Sequence, residues 1–338
     1  MSQFVYQPHQ QNGILLNANE NPWDLPDFIR QEIKEALDTI AFNRYPEDSA
    51  QELCEAYSQI IQIPASQILA GNGSDQHLGL LIGTFLGKGK NLLTLSPDFG
   101  MYDYYASSYE AGILKYTIDP FSHLDVDDFI GFARENKPDL ILFSNPNNPT
   151  GNLLNLDEIQ KILAAVPCPV VVDEAYIEFA QGSAVVLLDR YDNLYVTRTL
   201  SKAYGLAGVR IGFLISNQAN MDALRPLHVP YSVNSISAKV ATIVLHHADW
   251  FQEQIETIKA ERDRFKTLSL QRCRIQSSQA NFMLIQTPEI EALKKTFKDN
   301  GLTIREYEGK DYCRITIGTP EENQIVKDVL EAFDKEEV

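Results

Sequence analysis

The stretch TRTLSKAYGLAGVRIGF (197–213) sets Lys202 between two hydroxyls, Thr199 and Ser201, and Arg210, among Gly205, Gly208 and Gly212. An isolated lysine after a strand is ordinarily a solvated side chain opening a helix. It becomes a nucleophile when desolvation or a neighbouring positive charge lowers its pKa. Arg210, eight residues on, offers that charge, and with Ser201 it can also fork onto a phosphate. Upstream, VVVDEAYIEF (170–179) ends a buried type of strand with Asp173, Glu174 and Tyr176. A carboxylate there is costly unless it meets a positive partner, either a protonated ring nitrogen or a metal ion. Period two puts Asp173 and Glu174 on opposite faces, so one carboxylate is expected to face a site and the other to face away. Two turns complete the set. SNPNNPTG (144–151) follows the strand LILF and brings Asn148 to a sheet edge where ligands gather. GNGSDQ (71–76) follows QILA and opens a helix, so the backbone N–H groups of Gly73, Ser74 and Asp75 can face a phosphate.

These residues need a frame. Short apolar runs (QILAG, NLLTLS, ILKYTI, LILFSN, PVVVDEAY, LYVTRTL, RIGFLIS) alternate with amphipathic segments such as LDEIQKILAAV and SDQHLGLLIGTFLG. Several runs are continuously apolar, as in strands covered on both faces. The alternation over about residues 65–215 predicts a mostly parallel, doubly wound α/β sheet. The tail reads differently. One long helix is expected over 237–269, then NFMLIQ, EALKKTFKDNG, LTIREYE, YCRITIGT and a last helix EENQIVKDVLEAFDKEE, a smaller α+β domain. The N-terminal segment is too short for its own core and must pack on one of the two.

Composition narrows the partners. With 338 residues and 44% hydrophobic content, the chain suits one large domain and a smaller one. A net charge of −17 argues against nucleic acid or an anionic membrane as partner. A bound anion must then be held by local arginines and helix N-termini. MSQFVYQPHQQNG has neither the basic nor the apolar region of a secretory leader, and no apolar run reaches spanning length. Cys54, Cys168, Cys273 and Cys313 lack C-x-x-C spacing, which favours reduced thiols in the cytoplasm over a disulfide frame or a zinc site. The six histidines form no metal pattern, and adjacent His246 and His247 read as surface.

A candidate amine nucleophile, an acid for a pyridinium, an Asn and a Tyr for a phenolate oxygen and a phosphate cradle together match pyridoxal 5′-phosphate. NPNNPTG, DEAY and TLSKAYGLAGVRIG, in this order, resemble the fold-type I aminotransferases. LNANENP (16–22), NRYP (43–46) and GNGSD look like the histidinol-phosphate aminotransferase branch. The resemblance covers nearly the whole chain. It implies the fold-type I architecture: a large domain with a mostly parallel doubly wound sheet over 41–227, a smaller α+β domain over 228–338, and residues 1–40 joining the small domain.

By the same resemblance, Lys202 is the lysine that carries the cofactor. Asp173 partners the ring nitrogen, Asn148 and Tyr176 donate to the phenolate oxygen, and Phe99 in SPDFGMY stacks on the ring. Ser74, Asp75, Thr199, Ser201 and Arg210 hold the phosphate, with Tyr45 reaching across from a second subunit, which implies a homodimer with shared sites. Arg314 in YCRITIGT is implied to bind the anionic end of small amino and keto substrates, and Arg305 in LTIREYE the substrate phosphate. Asn19 and Glu20 belong to the segment closing over the substrate. Gln76, Trp23 and Phe99 depart from the branch: glutamate is frequent at the first position, tyrosine or phenylalanine at the second, tyrosine at the third. Gln76 is expected to trim a supporting hydrogen bond, and Trp23 and Phe99 to alter the pocket wall. The implied reaction is transamination of histidinol phosphate with 2-oxoglutarate. Aromatic amino acids, decarboxylation of a phosphorylated amino acid, and a non-catalytic binding protein of the same fold are the alternatives.

Overall fold

A computed structural model describes residues 12–335. Residues 1–11, which hold most of the segment read above as lacking a leader, lie outside the described residues. Strand β1 (Ile14–Leu16) comes first, followed by β2 (Ile68–Gly71), β3 (Asn91–Ser96), β4 (Gly112–Thr117) and β5 (Leu140–Ser144). After these come β6 (Val170–Asp173), β7 (Leu194–Thr199) and β8 (Gly212–Ser216). The last four are β9 (Arg274–Ile275), β10 (Phe282–Gln286), β11 (Leu302–Glu306) and β12 (Tyr312–Thr316).

Seven strands form one sheet in the order β2-β8-β7-β6-β5-β3-β4. All its pairings are parallel except those of β8, which runs antiparallel to both β2 and β7. Every residue of β5, β6, β7 and β8 is buried. That is the reason these strands read as continuous apolar runs: helices cover both faces. The doubly wound α/β expectation therefore holds. Register then aligns three polar residues. Ser144 pairs with Asp173 and Asp173 with Thr197, so the carboxyl ends of three adjacent strands present one row of polar side chains.

The second sheet has the order β1-β11-β12-β10-β9. β1 joins it in parallel with β11, while the other pairings are antiparallel. In place of the single helix expected over 237–269 there are two, Ser235–His246 and Ala248–Phe265. The break is His247, whose backbone (φ −106°, ψ 28°) leaves the helical region and whose ring meets Glu32 Oε2 at 2.7 Å. Redirecting the chain there lets the first helix pack on Asp27–Leu37 and Gln51–Ile61 and the second on the C-terminal helix Pro320–Lys335. The four cysteines are buried and free.

Candidate active site

The site lies at the carboxyl edge of the large sheet, where β5, β6 and β7 end. Its cavity, of about 530 Å³ including the open mouth, is lined by Ser74, Phe99, Asn148, Asp173, Tyr176, Thr199, Ser201, Lys202 and Arg210. A connected cleft adds Arg305 and Arg314. Sequence separations of more than two hundred residues thus converge on one volume.

At its floor, Asp173 is 3% exposed. Its Oδ2 accepts from Tyr102 Oη at 2.8 Å and its Oδ1 from Thr197 Oγ1 at 2.9 Å. Burial pushes its carboxyl up to about 6 although both hydroxyls pull it down. The donors, two hydroxyls and the Ala175 amide, are all neutral and leave a buried carboxylate without a cation, so the floor is suited to a protonated ring nitrogen. Glu174 turns to the opposite face, as the period requires. It accepts from Arg198 Nε at 3.0 Å, Ser183 Oγ at 2.7 Å and the Ala184 amide at 2.6 Å. The two carboxylates therefore cannot share a metal ion.

Lys202 Nζ donates to the Ala18 carbonyl at 2.7 Å. Its pKa is lowered from 10.5 to about 8, by burial first and then by Arg314. Arg210, expected to supply the depressing charge, contributes least of the named groups. The Arg210 side chain is 45% exposed, so solvent screens its charge, and Asp75, 3.0 Å from its Nη2, acts on the amine with the opposite sign. Arg314 is 5% exposed and donates from Nη1 to Asn148 Oδ1 at 2.5 Å and from Nη2 to the Asn17 carbonyl at 2.7 Å. Its Nε is buried and has no acceptor among the described residues. Tyr176 Oη accepts from Asn19 Nδ2 at 3.0 Å and Asn148 Nδ2 at 3.4 Å, and burial lifts the phenol to about 12.

At the other end, the helix Ser74–Phe85 points its N-terminus into the cavity behind Gly73 (φ 80°). Close packing dictates Gly212, since a Cβ there would lie 2.2 Å from the Ser74 amide nitrogen. Thr199 Oγ1 donates to Ser201 Oγ at 3.0 Å, and Arg210 Nη1 reaches the same oxygen at 3.5 Å. Hydroxyls, free helix N–H groups and a guanidinium make an anion cradle on an otherwise acidic protein. Gln76, expected to trim a supporting bond, keeps one: its Oε1 accepts from the Asn72 amide at 2.6 Å.

Of the other expected residues, Phe99 and Asn19 line the cavity or its cleft, while Glu20, Trp23 and Tyr45 do not. Phe99 lines the cavity with its ring edge-on to Tyr102, centroids 5.6 Å apart. Asn19 is buried, with its side chain occupied by Tyr176 Oη and by the Thr316 hydroxyl, 3.2 Å away, so its task is to brace Tyr176. Glu20 is exposed and Trp23 packs against the main core; neither lines the cavity or its mouth. Tyr45 is 82% exposed and stacks on Tyr231 at 5.0 Å, outside this chain's own cavity. Sequence reasoning missed Tyr102, Thr197 and Asn17. The register of β6 with β7 would have exposed Thr197; nothing local marks the other two.

Residues 11–330 match the family described as aminotransferase class I and II. The chain belongs to that family. Among its relatives, the histidinol-phosphate aminotransferase of Clostridium kluyveri is 36% identical over 318 residues, covering 93% of this chain and 91% of the relative. That of Thermococcus kodakarensis is 35% identical over 316 residues, with the same shares covered. A solved histidinol-phosphate aminotransferase from Sinorhizobium meliloti, in complex with pyridoxal-5′-phosphate, superposes with a TM-score of 0.84. It covers 96% of this chain and 92% of that one at 20% identity, which speaks to the fold. The enzyme belongs to a pyridoxal-phosphate-dependent family, and the cavity fits that group at three ends: an uncompensated carboxylate, a near-neutral amine and an anion cradle.

Proposed function

We propose that the enzyme transfers the amino group of histidinol phosphate to 2-oxoglutarate, giving imidazole acetol phosphate and glutamate in histidine biosynthesis. The observation that carries the reading is the Arg314 guanidinium, with a buried Nε lacking an acceptor, in the cleft that also holds the Lys202 amine. An anionic substrate end docking there brings its Cα toward that amine. The names of the relatives supply the substrate.

Pyridoxal phosphate, when bound, supplies an electron sink for the charge that develops at the substrate Cα. Lys202 would hold the cofactor, and as a free amine it would take the proton from the substrate Cα. A pKa near 8 keeps a useful fraction of it as free amine while leaving the protonated form a competent acid. The Ala18 carbonyl orients the amine when it is not bonded to cofactor. Asp173 would hold a proton at the ring nitrogen, and Asn148 and Tyr176 would donate to the phenolate oxygen. Ser74, Asp75, Thr199, Ser201 and Arg210 would hold the phosphate. Arg305, at the mouth, meets the substrate phosphate. Two half-reactions through one site give ping-pong kinetics.

The same reading takes the enzyme as a cytoplasmic homodimer. Tyr45, exposed away from its own cavity, fits a role in the partner's site. The division into 1–40 and 228–338 around one sheet and 41–227 around the other is supported by strand membership.

A visible spectrum of the loaded protein tests the substrate. Loss of the cofactor band with histidinol phosphate at low concentration, and not with phenylalanine, is expected. The reverse pattern would keep an aminotransferase and discard this substrate. Release of carbon dioxide from a phosphorylated amino acid would point to decarboxylation.

A further inference from the structure

Asp98 is unused in the chemistry above, yet it joins two of its parts. Strand β3 ends at Ser96, and Pro97-Asp98-Phe99 leads into the helix Met101–Ser108. β3 and β5 are paired through Leu92 with Leu140 and Leu93 with Ile141, and their ladder goes no further. Toward the carboxyl edge the two strands are bridged instead by the Asp98 side chain. Its Oδ2 accepts from the Ser144 amide at 3.1 Å, and its Oδ1 accepts from the Ser144 hydroxyl and from the Phe99 amide at 2.7 Å.

Direction matters in this arrangement. An ionised carboxylate accepts only, so the single Ser144 hydroxyl proton is committed to Asp98. The hydroxyl's lone pair is then left for the Asn148 backbone N–H, which donates to it at 2.9 Å. Burial pushes the Asp98 carboxyl up to about 7, with Asp173 adding to the rise and the Ser144 and Phe99 donors opposing it. A costly carboxylate is kept where a neutral acceptor would join the strands, because a side-chain amide at 98 would set its NH₂ against one of those donors.

We propose that Asp98 is a positioning residue for transamination, holding Asn148 through the Ser144 hydroxyl at the cofactor ring. The inference rests on Asn148 facing that ring. Its test uses D98N, N148A and the double variant in the full-length protein. Two quantities are read: the dissociation constant of pyridoxal phosphate for stripped protein, and the pH midpoint of the visible band of loaded protein. D98N is expected to weaken the cofactor about tenfold, the scale of one charge-assisted hydrogen bond, and to move the midpoint in the same direction as N148A. In the N148A background, D98N should add less than about threefold, since groups in one network do not add.

Wild-type constants in D98N overturn the proposal. So does a full additional tenfold in the double variant, which marks a merely structural role. An unchanged midpoint in N148A removes the reading of Asn148 itself, and the inference with it. S144A breaks the relay from its other end and reports in the same way if D98N does not fold.

Discussion

Replacing Asp173 by Asn should stabilise the cofactor-stripped protein and weaken the loaded one. In the stripped protein the carboxylate is 3% exposed and has neutral donors, two hydroxyls and the Ala175 amide, but no cation. Its pKa is raised from 3.8 to about 6 by burial. A group raised on folding contributes stability that is fully present below its unfolded pKa and is lost as pH rises through the folded value. Here the loss runs from about pH 3.8 to 6 and amounts to about 3 kcal/mol. Asn mimics the neutral acid and keeps an acceptor for one hydroxyl, while the other can rotate to accept from its NH₂. Stripped D173N should therefore exceed wild type by about 3 kcal/mol at pH 7.5 and by about half that at pH 5, where much of the wild-type carboxyl is already protonated. Urea unfolding at fixed protein concentration and both pH values measures this. Cofactor affinity should fall in the same variant, because the ring nitrogen loses its anion. A stripped D173N no more stable than wild type at pH 7.5, or an excess that does not change with pH, refutes the argument that Asp173 is held ionised at a cost for a cationic partner.

Other outcomes follow from the same geometry. Lys202→Ala should remove turnover and the amine-dependent visible band while the protein still binds pyridoxal phosphate non-covalently; normal turnover would remove Lys202 from the mechanism. Arg314→Ala should raise KM for both the amino and the keto substrate. It should also move the titration of the Lys202 amine above about 8, read as the pH dependence of its acylation in stripped protein, since Arg314 is the larger of the two positive charges depressing it. Gly212→Ala places a methyl 2.2 Å from the Ser74 amide nitrogen and should weaken inorganic phosphate and cofactor alike, as a binding titration would show. Arg198→Ala strands the buried Glu174 and should cost about 3–5 kcal/mol in urea unfolding, with little change in the pH dependence assigned to Asp173.

Much of this site was legible in the sequence because each part carries a local physical signature. Continuous apolar runs mark strands buried on both faces, and a carboxylate ending such a run is anomalous enough to single out Asp173. Period two alone sends Glu174 to the other face, and there it meets Arg198. A Gly-rich turn before an amphipathic segment marks the helix N-terminus at Ser74. Lys202 drew notice through its neighbours, although its own type says little.

Tertiary structure decided the pairings between distant segments, which no local pattern encodes. Tyr102 reaches Asp173 across 71 positions, Asn148 meets Arg314 across 166, and the Lys202 amine meets the Ala18 carbonyl across 184. The balance of charge at Lys202 also belongs to this level. By sequence Arg210 is near and Arg314 is remote, yet the first is screened by solvent and opposed by Asp75 while the second sits buried in the cleft. Coulomb energy follows distance and dielectric in the folded protein, and only the packing of the two sheets sets either one.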